Sequence, residues 1–486
     1  MCLYTGLPHV SPAVKLPKAR YDKIDIAKRL IVIAFDIFLC TLIGGRYDMN
    51  LRKALVSAAA ILMAGLLSFS AFPKTLRAES GNSDGSGKAI RYGTAHIQGA
   101  MESNIYFGNY WQSVTSEDAT DSNMEPVKWR VLANGDSLFV VSDQNLDCRA
   151  YDPSGETVTW EECALRAWLN NEFLDIAFTT QEQGAVLECL VVNEDGAKGS
   201  EAGSDTYDKV YLLSVYEVID PELGFPTDWK DTGGTRVALN TEYTKSKGAL
   251  TASDMSGAWW LRSPGDAHNA ANVFNEGNVF VRGGNVFNLI YAVRPAMNID
   301  TSKVLFASPA EGGKASGEPG ADAMTEVGSY VGSDWKFTIT DDTRPVFEAS
   351  VSGSKTILKD GAVMIEYNGA SSGANEYVSA ILEDSEGNIL YYGNIVDCTS
   401  ADAVTSGKAA LNVPAGLAPG NYVIKVFSEQ CNGSFRTDLA SNMVTLDITI
   451  SKYKTSDMIL FAGIGAAIAA ATCVVVVLAV RKKKRA

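Results

Sequence analysis

"DWKFTIT", residues 334–340, marks the point at which the character of the chain changes. From there to about residue 450, apolar and polar residues alternate in strand-length segments, and Glu-Gly and Pro-Gly pairs stand between the segments as turn signals. Alternation with a period of two is typical of strands that bury one face. The sequence therefore predicts an antiparallel, immunoglobulin-like β-sandwich over residues 335–450.

The residues before this sandwich have the composition of a connection. Residues 300–334 are rich in Gly, Ala and Ser, most clearly in "PAEGGKASGEPGADAM" at 309–324. Such stretches link domains more often than they form strands or helices. We therefore expect a separate first domain over residues 90–299, with a polar, flexible lead-in at 79–89.

One helix is prominent in the first domain, at "TWEECALRAWLNNEFLDIAF", residues 159–178. Thr159 and Glu162 have the spacing of a capping box, and apolar residues follow at helical intervals. Trp168 and Leu169 are expected on the buried face. The segments "VKWRVLA" and "SLFVVSDQ" around the helix are typical of strands. A helix packed on a hairpin-rich sheet makes an α+β domain.

Both ends of the chain carry targeting patterns. Residues 49–78 have the basic start and apolar run of a secretory signal peptide, and residues 1–48 are expected to be an upstream mis-start. Residues 458–480 are apolar throughout and are followed by the basic stretch 481–486, which predicts a transmembrane helix with a short cytoplasmic tail. A wall-sorting signal at 453–457 is less favoured, because the usual Leu-Pro pair is missing.

Charge excludes one class of partner. The chain has 486 residues and a formal net charge of −15. Residues 79–456 are more acidic than the whole, with 26 Lys and Arg against 52 Asp and Glu. Such a surface repels nucleic acid. The expected location is the cell membrane, with a single span and most of the chain outside the cell.

A set of short motifs resembles a known family. The motifs are "FGNYWQ" (107–112), "VKWRVL" (127–132), the helix described above, "DKVYLLS" (208–214), "WWLRSPG" (259–265) and "VRPAM" (293–297). In this order they resemble a domain family of unknown function that is common in surface proteins of gut Firmicutes, which are Gram-positive bacteria. The set, over about residues 104–299, is similar in general appearance to the C-type-lectin-like fold shared with formylglycine-generating enzymes.

The resemblance implies a fold and a habitat but no activity. The expected fold class is an α+β lectin-like domain, then an all-β immunoglobulin-like sandwich and a single transmembrane helix. The oxidase chemistry of formylglycine-generating enzymes needs cysteines in the carboxy-terminal half of the domain, and residues 190–299 contain none.

Candidate catalytic and metal-binding residues are few. Only His96 and His268 lie in the acidic body, so an enzyme would need one of them to meet a carboxylate, Cys148 or Cys163 in one cleft. We predict no catalytic residues, no metal site and no cofactor. Glu117, Asp118, Asp121 and Glu125 form an acidic loop that could hold calcium, but a solvated loop without a metal is the favoured interpretation. A disulfide between Cys398 and Cys431 is a pairing that the sequence allows.

The stretch "NVFNEGNVFVRGGNVFN", residues 272–288, repeats Asn-Val-Phe three times. Two-residue turns at Glu276-Gly277 and Gly283-Gly284 would make three strands. One face would then be core, formed by Phe274, Val279, Val281, Val286 and Ile290. The opposite face would carry Val273 and two phenylalanines, with amides and a guanidinium beside them.

That second face is the predicted ligand site. Aromatic rings flanked by amides suit a sugar or a peptide. With two residues from "AWWLRS", the predicted set is Trp260, Arg262, Asn275, Asn278, Phe280, Arg282, Asn285 and Phe287. The alternative is that the Trp168 helix or a loop covers this face, which would make Phe280 and Phe287 core residues.

The function expected from the sequence is non-catalytic binding by a membrane-anchored surface protein, with a glycan or a protein as ligand. An enzyme of hydrolytic or oxidative type, using His96 or His268, is the first alternative. A structural spacer on the cell surface is the second, and it is favoured if Phe280 and Phe287 are buried.

Overall fold

Strands dominate the part of the chain that the computed structural model describes, which is residues 87–453 together with Ala469. Of these residues, 39% lie in strands and 11% in helices. The predicted fold class was therefore wrong. The alternating segments do form strands, but the helices are too short and too few to make a helical layer, so an α+β domain is not what these residues build.

The strands of the N-terminal region, which we define as residues 87–303, are β1 (Arg91–Tyr92), β2 (Asn104–Tyr110), β3 (Glu125–Asn134), β4 (Leu138–Ser142), β5 (Asp147–Cys148), β6 (Cys189–Val191), β7 (Thr206–Asp208), β8 (Val210–Tyr211), β9 (Ala238–Leu239), β10 (Ser256–Gly257), β11 (Trp259–Pro264), β12 (Asn269–Val273), β13 (Val279–Asn285), β14 (Ala292–Val293) and β15 (Ala296–Ile299). The strands of the C-terminal region, residues 304–453, are β16 (Val304–Pro309), β17 (Thr325–Glu326), β18 (Asp334–Thr340), β19 (Glu348–Val351), β20 (Thr356–Leu358), β21 (Ala362–Asn368), β22 (Glu376–Glu383), β23 (Ile389–Asp397), β24 (Ser406–Asn412), β25 (Gly420–Gln430), β26 (Asp438–Ala440) and β27 (Val444–Ser451).

The helices of the described residues are short. They are α1 (Ala164–Trp168), α2 (Leu174–Ala177), α3 (Thr180–Ala185) and α4 (Glu242–Ser246). A π-helical turn, Leu169–Phe173, joins α1 to α2, and single 3-10 turns lie at Asp121–Asn123, Glu217–Ile219, Pro221–Leu223, Gly234–Arg236 and Thr301–Lys303.

The predicted helix is present but begins later than expected. Its N-cap is Cys163, whose sulfur accepts a hydrogen bond from the Arg166 N–H at 3.4 Å. The capping box predicted at Thr159 is therefore wrong, and a capping box occurs instead at the start of α3, between Thr179 and Glu182. The buried helix face was predicted correctly, since Trp168 lies in the core.

β18 lies at the centre of the largest sheet. One of its edges pairs with β16. Its other edge runs parallel to β2 through Asp334–Lys336 and then parallel to β26 through Thr338–Thr340. The sheet extends from β2 through β3, β4, β15 and β8 on one side, and from β26 through β25, β22, β23 and β17 on the other. Strands of both regions are thus hydrogen bonded into one sheet.

Smaller sheets complete the fold. The order β13-β12-β11-β14-β5 makes a five-stranded sheet in the N-terminal region, and β19-β21-β24 makes a three-stranded sheet in the C-terminal region. Two short pairs, β9 with β10 and β6 with β7, lie outside these sheets.

Two main cores fill the space between the sheets. The core of the N-terminal region contains Trp129, Trp160, Trp259 and Trp260, all almost fully buried, and it also receives apolar side chains of β18 such as Phe337. The core of the C-terminal region is formed by buried side chains of β21 together with those of β22 and β25.

Within the described residues, no helix is long and apolar enough to cross a membrane. The described residues therefore do not show the transmembrane helix that was expected as part of the fold class. The predicted span at 458–480 lies outside the described residues except for Ala469, and so do the signal peptide at 49–78, residues 1–48 and the tail at 481–486.

Gly108 provides a test of the contact between β2 and the helical segment. It has φ +70°, and a Cβ there would lie 2.6 Å from the Ala177 carbonyl oxygen and 2.6 Å from the Phe178 ring. Gly108→Ala should lower the free energy of unfolding by at least about 2 kcal/mol, because it adds backbone strain and a clash. Urea denaturation measures this change.

Gly135→Ala is the matched control, because a Cβ at Gly135 would meet nothing within 4 Å. The control should change the free energy of unfolding by less than about 0.5 kcal/mol. Equal effects of the two substitutions would contradict the close approach at Gly108.

Candidate functional site

The first predicted hairpin turn has a different register in the structure. Val273 pairs with Val279, and Asn272 pairs with Phe280. The turn spans five residues, and the Phe274 N–H donates to the Asn278 carbonyl at 2.9 Å. The predicted two-residue turn was therefore wrong, and the register is shifted by one residue. Such a shift exchanges cross-strand neighbours, so Phe280 faces Asn272 and not Val273.

The second predicted hairpin turn does not form. Gly283 and Gly284 both lie within β13. A Cβ at Gly283 would lie 2.1 Å from the Ala270 carbonyl oxygen, and a Cβ at Gly284 would lie 2.4 Å from the Tyr291 ring. The glycines serve close packing within the sheet instead of a turn. The third Asn-Val-Phe copy consequently leaves β13 after its asparagine and enters a loop.

Phe280 and Phe287 are exposed, by 37% and 54% respectively. The interpretation of both as core residues is therefore wrong. Phe280 lies near the start of β13, and Phe287 lies in the loop that follows its end. The Phe280 ring packs against Phe274 at a centroid distance of 5.2 Å. Phe287 lies beside Gly155, where an added Cβ would be 3.1 Å from its Cδ1 atom. The two rings do not form the continuous row that was predicted.

The polar residues of the predicted site mostly serve local structure. Asn285 Oδ1 accepts a hydrogen bond from the Phe287 N–H at 3.2 Å. Arg282 is exposed and pairs with Asp266 at 3.0 Å. Asn275 and Asn278 are half-buried in the hairpin turn.

Trp260 and Arg262 belong to the core, which corrects their assignment to the exposed face. The Trp260 indole donates to the Arg149 carbonyl at 2.9 Å, and its ring lies 4.3 Å from that of Tyr291. Arg262 is 2.5 Å from Glu217 and also donates to backbone carbonyls.

An apolar surface that the sequence did not predict lies beside Phe287. We call it the apolar loop, and it consists of Phe287, Leu289, Ile290 and Leu250. Leu289 is 61% exposed, Ile290 43% and Leu250 46%. The Leu250 N–H donates to the Ile290 carbonyl at 2.8 Å, so the two segments are in contact. The assignment of Ile290 to the core was wrong, because the strand that would have buried it does not form.

The histidines and thiols named as catalytic candidates are apart. His96 stacks edge-on against Trp335 at 4.6 Å, and the hydrogen-bond partner shown for the His268 ring is Thr157, at 3.3 Å. Burial, with the charge of Asp147 adding to it for Cys148, raises the pKa of Cys148 to about 12, and burial raises that of Cys163 to about 12. Such thiols are protonated at neutral pH and are poor nucleophiles.

A groove of about 770 Å³ lies between α3 and the C-terminal region. Arg344 and Glu376 line it and bond to each other through two contacts of 2.7 and 2.9 Å. Its volume suits a small ligand, but small-molecule sites are mostly apolar, and this lining is predominantly polar. The charges of Arg344 and Glu376 are therefore already paired within the protein.

The structure of residues 87–453 also tests the metal and disulfide candidates. Those residues contain no group of three or more His, Cys, Asp or Glu that could hold a metal ion. Cys398 and Cys431 are free thiols, so the predicted disulfide is not present. Cys398 is buried in the C-terminal core, whereas the Cys431 sulfur lies 3.7 Å from the Tyr392 hydroxyl.

Comparison with known proteins finds a match to one domain family, whose function is unknown. A family model described as a domain of unknown function, DUF6273, matches residues 135–301. None of the curated proteins compared with the chain matches it. A DUF6273 domain thus spans most of the N-terminal region, including β4 to β15 and the apolar loop. The resemblance to a family of unknown function is confirmed, while the lectin-like fold and the bacterial source remain predictions.

Removing Arg262 tests its structural role. Arg262→Met should lower the free energy of unfolding by about 3 kcal/mol, because it leaves Glu217 and two backbone carbonyls without their buried partner. Arg282→Met is the control, since its ion pair is exposed and should contribute less than about 1 kcal/mol. Urea denaturation of both variants measures the difference, and equal losses would contradict the assignment of Arg262 to the core.

We predict that the stability of the protein depends on pH through His96. Burial, and then the charge of Arg91, lower the pKa of His96 from 6.5 to about 4. The unfolded chain therefore binds this proton at a higher pH than the folded chain does. The contribution of His96 to stability is complete above pH 6.5 and decreases as the pH falls toward 4.

The variant His96→Gln should lose less stability than the unaltered protein between pH 7 and pH 4, measured by urea denaturation at several pH values. His268→Gln is the control, because His268 is exposed. An unchanged pH profile in His96→Gln would show that His96 does not titrate in this way.

Proposed function

We propose that this chain is a non-catalytic binding protein, and that it docks an apolar surface of a protein partner on the apolar loop. The observation that carries the proposal is the exposure of Phe287, Leu289 and Ile290 within four consecutive residues, next to exposed Leu250. Exposed apolar side chains that lie together mark interaction sites more often than those scattered singly.

Anchoring of the loop supports this function. The Val286 N–H donates to the His268 carbonyl, and the Val286 carbonyl accepts from the Asp152 N–H, both at 3.0 Å. At the other end of the loop, Tyr291 packs on Trp260 in the core. A loop that is held in place before binding loses less conformational entropy when a partner docks. The surrounding structure thus presents the apolar side chains in a defined position.

The chemistry of the loop favours a protein over a glycan. Leu289, Ile290 and Leu250 are aliphatic, and sugar rings stack on aromatic side chains in preference to aliphatic ones. The amides that a sugar would need beside Phe287 are engaged, as for Asn285. Burying an exposed Leu, Ile or Phe side chain contributes about 1.5–3 kcal/mol before the cost of association.

The alternatives have less support. An enzyme using His96 or His268 would need a carboxylate or thiol beside the ring, and the contacts found for these histidines are with Trp335 and Thr157. A spacer gains no advantage from an exposed apolar loop. The signal-peptide pattern of residues 49–78 supports a location of the binding surface outside the cell.

The test uses a random peptide library displayed on phage and selected on the full chain. The affinity of the selected peptides is then measured for the unaltered chain and for Phe287→Ser with Leu289→Ser. We expect a loss of at least about tenfold, because apolar anchors dominate such interfaces. Val331→Ser is the control, because Val331 is 96% exposed but lies outside the loop.

Two outcomes would contradict the proposal. The first is equal peptide affinity for the double variant and the unaltered chain. The second is saturable binding to a glycan array that is lost in Phe280→Ala and retained in Phe287→Ser with Leu289→Ser, which would move the site to the other end of β13.

A further inference from the structure

Lys314 has surroundings that are unusual for a lysine in a glycine-rich connection. Its side chain is 2% exposed, and its Nζ atom lies 2.5 Å from Asp438 Oδ2 and 3.1 Å from Glu429 Oε2. It also donates to the Thr338 hydroxyl at 2.8 Å. Lys314 precedes β17, Glu429 lies on β25 and Asp438 on β26. The fold therefore brings an amine and two carboxyl groups together from three separate segments.

Aromatic rings and further donors enclose this group. The ring of Phe306 lies 5.0 Å and that of Tyr392 5.8 Å from Lys314 Nζ. The Tyr392 hydroxyl donates to Glu429. On the other side, Asp438 Oδ1 accepts from the Asn432 N–H at 2.7 Å and from Lys336 Nζ at 2.8 Å. Lys336 Nζ also lies 2.8 Å from Oδ2, so it bridges both oxygens of Asp438. The Asn432 N–H binds Oδ1, and Lys314 faces Oδ2.

We propose that Lys314 and Asp438 condense into an isopeptide bond, with Glu429 as the proton carrier. Ammonium and carboxylate groups are costly to bury, even as a pair. An amine held against a carboxyl group in a buried site reacts with a high effective concentration. The product is a neutral amide, so the reaction removes one positive and one negative charge from the interior.

The condensation needs no further reactant. Glu429 takes one proton from the Lys314 ammonium group and passes it to Oδ2 of Asp438, which leaves a neutral amine facing a neutral carboxylic acid. The Nζ lone pair then attacks Cγ of Asp438. Negative charge that develops on Oδ1 is stabilised by the Asn432 N–H and by Lys336, which act as an oxyanion site. Glu429 carries a second proton from Nζ to Oδ2. The Cγ–Oδ2 bond breaks, one water molecule leaves, and Glu429 is again a carboxylate.

Internal proton transfer is necessary here. Burial alone would lower the pKa of Lys314, but the charges of Asp438 and Glu429 raise it well above its usual value. Lys314 therefore rests as an ammonium ion and does not lose its proton to solvent at neutral pH. Glu429, at 3.1 Å, is close enough to accept that proton directly.

The bond would reinforce the joint between the two regions. Lys314 belongs to the connection at 309–324, and Asp438 lies on β26, which pairs with β18. A covalent link between them closes a loop that contains β18 and most of the C-terminal strands. Loss of this strand order would then require more than the breaking of hydrogen bonds.

Peptide mapping of the full chain tests the proposal. The denatured chain is digested with trypsin, which does not cleave after an acylated lysine. We expect residues 304–336 joined to residues 437–452, with the mass of the two peptides less one water molecule. Fragment spectra should place the link at Lys314 and Asp438. The linked species should be lost in Lys314→Arg and in Glu429→Gln.

The Lys425–Glu383 pair is an internal control in the same digest. Its atoms are 3.0 Å apart, but Lys425 is partly exposed, and the pair should remain ionic and cleavable. Recovery of residues 304–314, 315–336 and 437–452 as separate peptides from the unaltered chain would overturn the proposal, and so would a link that involves Lys336. Because this readout needs only the unaltered chain, it stands even if a variant fails to fold.

Discussion

The fold depends on β18, because this strand is hydrogen bonded to strands of both regions at once. It runs parallel to β2 over its first residues and parallel to β26 over its last. Parallel neighbours so far apart in the chain are entropically costly to bring together, so local hydrogen bonds alone would not hold them. Apolar packing adds to the hydrogen bonds on the N-terminal side, where Phe337 and Ile339 enter the main core.

On the C-terminal side, buried ion pairs hold β18 and its neighbours together. Lys336 projects from β18 to Asp438 on β26, and Asp438 in turn binds Lys314. Separately, Glu182 at the start of α3 accepts from the Gly108 N–H on β2 and from the Thr437 hydroxyl beside β26. Buried polar groups of this kind are satisfied in only one arrangement of the strands. They therefore specify how the two regions meet.

The sequence predicted local structure better than pairing. The alternation in "DWKFTIT" correctly indicates a strand, yet nothing in that pattern shows that Asp334 pairs with Asn104. Composition alone made residues 309–324 a linker, and a single lysine among glycines gives no sign of burial. Lys314 finds its two carboxylate partners more than a hundred residues away, so no short-range pattern reveals them. The short α1 and α2 also show how a well-spaced apolar helix can be too small to set the fold class.

At the candidate site too, the sequence predicted local structure correctly and strand pairing incorrectly. Exposure of Phe280 and burial of Val279 follow from alternation along β13, and both occur. The turn at Phe274–Asn278 contains three residues more than the predicted one, which shifts the register and replaces the neighbour of Phe280. Tyr291 occupies the space above Gly284. Gly283 and Gly284 were interpreted as a turn because the sequence does not show that the Tyr291 ring lies against them. Because no turn forms there, the residues after Asn285 form the apolar loop and not a third strand.

Hydrogen exchange measured by mass spectrometry on the full chain tests the central role of β18 most directly. Thr338→Pro would remove a backbone donor in the middle of β18 and disturb its pairing with β16 and β26. If β18 supports both regions, exchange should become faster in β2 and β3 as well as in β25 and β26. Faster exchange confined to the C-terminal strands, with β2 and β3 still protected, would contradict this account.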